Sequence, residues 1–159
     1  NKFIKKIILN YNNENNIKHS FTMGSKLLAK KNNRGSGGGW HRDNLNGPFP
    51  KAIIYLSNVK YDNGPFQYVK GSNNFFNTIE FLFFSKIGYN KKEFNNKLIK
   101  KYSKLKKKMI KTLIGKKGTL IIFDSSGIHR GMPIKKEKRY SLTNYYYFDS
   151  KGGKGFKHI

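Results

Sequence analysis

Histidine is scarce in this 159-residue chain, which has only His19, His41, His129 and His158. His41 stands two residues from a carboxylate, in Trp40-His41-Arg42-Asp43. In an extended segment side chains alternate faces, so His41 and Asp43 point one way and Arg42 the other. The pair offers one imidazole and one carboxylate to a single metal ion. A second imidazole from another strand would complete a two-histidine, one-carboxylate set. Such a set leaves coordination positions open and suits non-haem iron(II) oxygen chemistry. His129, in Gly127-Ile128-His129-Arg130-Gly131, is the candidate, because it follows an apolar strand at 120–123.

Residues 132–138 carry a proline and four charged side chains and read as a hairpin tip. A hairpin centred near Ile134 would set residue 129 opposite Arg139. A guanidinium beside the metal can take a carboxylate in a two-bond clamp. Ser141 shares that face and could add a hydroxyl. Two other patterns fail. His41-Arg42-Asp43 matches part of a kinase catalytic loop, but Pro48 stands where the loop needs Asn. Ser36 lies among glycines without the spacing of a nucleophile elbow.

The elements that must position these groups are short and mostly β. Strands are expected at 21–30, 40–43, 52–56, 66–69, 119–123, 127–131 and 140–148, with turns at Asn46-Gly47-Pro48 and Asn63-Gly64-Pro65. Residues 1–18 read as a polar, Asn-rich stretch with one apolar run at 7–9. The segment 32–39 (NNRGSGGG) reads as a flexible connection or a lid. Between 78 and 114 glycine almost vanishes, and Phe94, Leu98, Tyr102, Leu105, Met109 and Leu113 follow a helical spacing. Trp40 is expected in the core, Arg42 and Arg130 in structural roles, and 145–147 in a sheet. His19 and His158 receive no role. One domain over 1–150 is expected, with a helical insertion at about 76–115 and a flexible tail at 151–159.

The absence of cysteine removes disulfides, thiol nucleophiles and iron–sulfur clusters. No apolar run approaches the length of a membrane span, and a cytoplasmic location is expected. The net charge of +25 suggests a polyanionic partner. Yet Lys outnumbers Arg 29 to 4, and Asn (19) and Ile (16) are also abundant. A/T-rich codons raise all three together, and a phosphate-reading surface favours Arg. Composition bias is therefore the preferred explanation, and nucleic acid is a disfavoured partner. A small-molecule substrate, with an anionic one in view, fits better. Oligomeric state is not legible.

The blocks WHRD, AIIYL, DNGPFQYVKGS, GTLIIFDSSGIHRG and KRYSLTNYYY resemble the phytanoyl-CoA dioxygenase-like branch of the 2-oxoglutarate oxygenases. The resemblance spans 21–148 apart from the lysine-rich insertion. It implies a mainly β, double-stranded β-helix (jelly-roll, cupin-like) fold. It implies that His41, Asp43 and His129 hold Fe(II), that Arg139 with Ser141 binds 2-oxoglutarate, and that O2 is the oxidant of a hydroxylation. Related halogenases lack the carboxylate found here at Asp43. Members commonly show P-G-S-H where this chain has Lys70-Gly71-Ser72-Asn73. They also carry more helical sequence before the first core strand, which implies a missing or shortened N-terminal region here. The competing readings are a zinc or manganese cupin-like hydrolase or isomerase, and a catalytically impaired relative or basic-surface module for nucleic acid or other polyanions.

Overall fold

Short runs of β-branched and aromatic residues, cut by Gly, Pro and Asn, form nine strands among the described residues. The structure is a computed structural model that describes residues 1–45 and 47–148. Position 46 of the expected turn and the expected tail at 151–159 lie outside the described residues.

The strands are β1 (His19–Leu28), β2 (Trp40–His41), β3 (Pro50–Tyr55), β4 (Phe66–Val69), β5 (Glu93–Phe94), β6 (Ile110–Leu113), β7 (Leu120–Asp124), β8 (His129–Gly131) and β9 (Lys138–Tyr147). They make two antiparallel sheets, ordered β1-β9-β3-β7 and β5-β2-β8-β4-β6. Strands β1 to β4 alternate between the sheets, β5 and β6 stay in the sheet of β4, and β7 to β9 alternate again, which is the winding of a double-stranded β-helix with an inserted segment.

Three helices back this jelly roll: α1 (Lys2–Asn12), α2 (Phe75–Ser85) and α3 (Asn96–Leu105). Trp40, Val69 and Ile128 leave the outer face of the five-stranded sheet and pack with Phe81, Phe94, Ile99 and Tyr102. Each such side chain contributes roughly 1.5–3 kcal/mol on burial. On the other sheet, Ala52 and Tyr146 pack with Ile8 of α1. Alternation then turns His41, Lys51 and His129 inward, between the sheets.

Three expectations need correction. Residues 2–12 form a helix, because Asn1 and Asn13 cap it. The Asn1 side chain accepts from the Phe3 amide at 2.9 Å, and Asn13 closes the C-terminus at φ 52°. The helix expected to run on to Leu113 stops at Leu105. Lys107 takes a left-handed φ of 50°, and 110–113 pairs with β4 as a strand. The lysine-rich segment thus contributes two strands to the sheet as well as two helices. Finally, β8 and β9 are not a hairpin. β8 pairs with β2 and β4, β9 with β1 and β3, so 132–137 crosses from one sheet to the other.

Candidate metal centre

His41 and His129 are direct cross-strand partners on β2 and β8. Their ring centroids are 4.3 Å apart. Asp43 follows β2, held by its backbone N–H, which donates to the Ser125 carbonyl at 2.9 Å. One ligand atom from each of His41, Asp43 and His129 lies within 4.8 Å of the others. His129 Nε2 is 3.4 Å from Asp43 Oδ2, and His41 Nε2 is 3.9 Å from Asp43 Oδ1.

The tautomers suit a cation. His41 Nδ1 lies 2.8 Å from the Gly39 carbonyl and His129 Nδ1 lies 2.8 Å from the Gly127 carbonyl. A carbonyl only accepts, so each Nδ1 carries the proton and each Nε2 keeps its lone pair toward Asp43. Burial, with His41 beside it, pushes His129 down to about 4, so it stays neutral near pH 7. The approach to His41 is tight. A Cβ on Gly37, at φ +77°, would strike the His41 ring. The glycine-rich segment is therefore packed against the site, and Ser36–Gly38 forms a short 3-10 turn.

One member of the site was not visible in the sequence. Lys51, buried on β3 of the opposite sheet, places Nζ 2.8 Å from Asp43 Oδ2. Its ammonium also sits 4.1 Å from the centroid of the Tyr145 ring. Burial alone would raise the Asp43 carboxyl, but Lys51, His129 and His41 together hold it below the ordinary carboxylate range. Burial lowers Lys51, opposed by Asp43. An isolated lysine between a proline and an alanine carries no motif, so only the inter-sheet geometry reveals it.

Arg139 and Ser141 lie on β9, in the sheet facing His129 rather than beside it. Both line the same cavity of about 240 Å³ as His41, Asp43, Lys51 and His129. Arg139 reaches across to β8, since a Cβ on Gly131 would come 3.2 Å from its Nη2. Its Nη1 donates to the Gly64 carbonyl. Its Nε is buried and has no hydrogen-bond partner in the structure. Burial lowers the guanidinium, with Tyr55 opposing. The Phe66 and Phe123 rings, 4.4 Å apart, pack at 5.7 and 5.2 Å from the His129 ring and form an apolar wall to the cavity.

The other expected structural residues are accounted for. Trp40 is buried in the core. Arg130 stacks at 4.4 Å on the Trp40 ring and donates to Gln67 Oε1 at 2.7 Å. Arg42 is buried outside the sheet, between the Phe81 and Phe94 rings at 5.8 Å from each, and donates to Thr78 Oγ1 at 3.2 Å. Asn73 donates to Tyr11 Oη at 3.0 Å and toward Asp124 Oδ2 at 3.4 Å.

Residues 4–139 match the sequence model of the family described as Phytanoyl-CoA dioxygenase (PhyH). No curated protein matches the chain in sequence. Among solved structures, AviO1 from Streptomyces viridochromogenes Tue57 is similar at TM-score 0.56 and 14% identity, over 94% of this chain and 59% of that one. EvdMO1 is similar at TM-score 0.51 and 16% identity, over 84% of this chain and 28% of that one. The chain therefore spans less than two thirds of either relative. These likenesses agree with the jelly-roll fold.

Proposed function

The chain belongs to the phytanoyl-CoA dioxygenase family, and on that premise we propose that it is an Fe(II)- and 2-oxoglutarate-dependent dioxygenase that hydroxylates a C–H bond of a small or lipid-like substrate. The observation that carries this reading is the convergence of His41, Asp43 and His129, with both imidazole Nε2 atoms freed by Nδ1–carbonyl bonds. Two nitrogens and one carboxylate oxygen fit iron(II). When bound, iron(II) with 2-oxoglutarate and O2 supplies the oxidation of a C–H bond to an alcohol, with succinate and CO2 as co-products.

The chain's own residues do the rest. The Gly39 and Gly127 carbonyls fix the two rings. Lys51 occupies Asp43 Oδ2 and leaves Oδ1 for the metal. Arg139, through its unpartnered Nε, takes the far carboxylate of the co-substrate, with the Ser141 hydroxyl on the same face. Phe66 and Phe123 keep water from the His129 side of the cavity. Asp43 supplies the carboxylate that related halogenases lack and replace by halide, which favours hydroxylation. We place the enzyme in the cytoplasm; no helix among the described residues is long and apolar enough to cross a membrane.

A screen of metabolites for succinate release above the uncoupled background tests the activity. Release that is iron-dependent and stimulated by one substrate class supports it. No succinate with any substrate contradicts it. A second reading, a catalytically impaired relative, is favoured by one observation: the Lys51 ammonium already rests on the metal-ligand carboxylate at 2.8 Å. Metal titration of the wild-type chain separates the two.

A further inference from the structure

The outer face of α2 is apolar and exposed. Phe75, Phe76 and Phe83 keep 70%, 78% and 80% of their surface in water. At 100° per residue, Phe75, Ile79, Leu82 and Phe83 fall on one side of the helix with Phe76 at its margin. Phe81, on the opposite side, packs into the core, with Phe84 partly buried against the same cluster. The single acidic group of α2, Glu80, lies off the exposed side. It accepts from Tyr102 Oη at 2.9 Å and pairs with Lys108 at 4.0 Å. Exposed aromatic side chains so grouped mark an interaction surface.

The surroundings of this face are cationic. Thirteen lysines lie between 86 and 117, against two acidic residues, Glu80 and Glu93, in the whole of 75–117. Lys86 continues the aromatic side of α2 as its C-cap, and Lys91 and Lys92 follow it in the next loop. Helix α3 meets α2 through Tyr102 and Phe81, at 4.9 Å between ring centroids, on the side of α2 away from this face, so the lysines of the face itself are Lys86, Lys91 and Lys92. Composition bias raises lysine throughout a chain. It does not concentrate lysine in one segment, and it does not leave three phenylalanines in water beside it.

We propose that the exposed face of α2 docks onto an anionic lipid bilayer, with Phe75, Phe76 and Phe83 entering the headgroup–acyl boundary and the surrounding lysines meeting anionic headgroups. At 11 residues α2 is about 16 Å long, too short to span a bilayer and suited to lying in its interface. A second copy of this chain is a poor occupant, because each copy brings the same cationic surround to the contact. Nucleic acid explains the lysines but leaves the apolar face without a use. Anionic lipids enrich the cytoplasmic leaflet, which satisfies both features. The metal cavity opens between the sheets, whereas α2 covers an outer sheet face. Docking therefore holds the protein at the surface without closing the site, and it does not depend on the oxygenase reading.

Flotation of the full chain with phosphatidylcholine vesicles, with and without about one-third phosphatidylserine, tests this. Binding should require the anionic lipid and weaken with salt. The Phe75→Ser/Phe76→Ser/Phe83→Ser variant keeps the charge and changes only exposed positions. It should bind at least about tenfold more weakly, with an unchanged circular dichroism spectrum. Lys86→Gln/Lys91→Gln/Lys92→Gln should weaken binding at low salt and serves if the first variant fails to fold. The proposal is overturned by absence of vesicle binding, by equal binding of the phenylalanine variant and wild type, or by equal binding of the lysine variant and wild type at low salt. It is equally overturned if the phenylalanines prove to hold a dimer in sedimentation without lipid, or to bind an oligonucleotide in place of vesicles.

Discussion

His41 and His129 face each other across β2 and β8, and each turns Nδ1 to a carbonyl oxygen two residues earlier in its own chain, at 2.8 Å. Two short backbone devices thus orient both imidazoles before any cation arrives. The consequences can be measured one residue at a time.

The first concerns Gly37. Its φ of +77° and the closeness of the His41 ring, which any Cβ at this position would strike, leave no room for a side chain. Gly37→Ala should displace the His41 ring and weaken Fe(II) or Co(II) binding by about 10–100-fold, the usual range for residues that orient ligands. Calorimetric titration checks this. Wild-type affinity in a folded Gly37→Ala protein would contradict the site geometry.

Lys51 links the two sheets through Asp43. Lys51→Met leaves that carboxylate without its cation. The metal-free protein should lose roughly 2 kcal/mol, below the ~3–5 of a fully sequestered pair, because the Asp43 side chain keeps 25% of its surface in water. A divalent cation should restore more stability to the variant than to wild type. Thermal melts with and without metal read both effects. If only the variant bound metal, Lys51 would be an internal competitor and the impaired-relative reading would stand.

Acid should weaken the metal-free fold through His129. Its folded value is about 4, against about 6.5 for a free histidine. Between these values the unfolded chain takes up a proton that the folded site refuses. Stability therefore falls as pH drops from about 6.5 to about 4 and levels off below. Asp43, held below its ordinary value, adds its own loss only below about 3.8. Urea melts of wild type and His129→Gln across this range are the measurement. A shared slope in the two proteins would remove His129 as its source.

Much of the centre was legible because it is local or periodic. The H-x-D pair follows from two-residue alternation, and His129 from its place after an apolar strand. What failed was non-local. A charged link at 132–137 reads the same whether it turns a hairpin or crosses between sheets, so the expected hairpin sets Arg139 beside His129, whereas it lines the same cavity from the facing sheet. Lys51 looks like any of 29 lysines until β3 is laid opposite β2. The polar, Asn-rich reading of 1–18 assigns no element there, whereas Asn1 and Asn13 act as the caps of a helix. The extended helical spacing to Leu113 conceals a strand, since Ile110 and Leu113 stand three apart as on a helix and the pairing with β4 overrides that spacing.

The most direct measurement is anaerobic addition of Fe(II) and 2-oxoglutarate to the purified chain, followed by visible absorption. A weak charge-transfer band of the chelate should appear in wild type and vanish in His129→Ala. In Arg139→Ala it should require at least about tenfold more 2-oxoglutarate, the loss of a charge-assisted two-bond contact. No band in the folded wild-type protein, or an unchanged band in His129→Ala, would contradict the account.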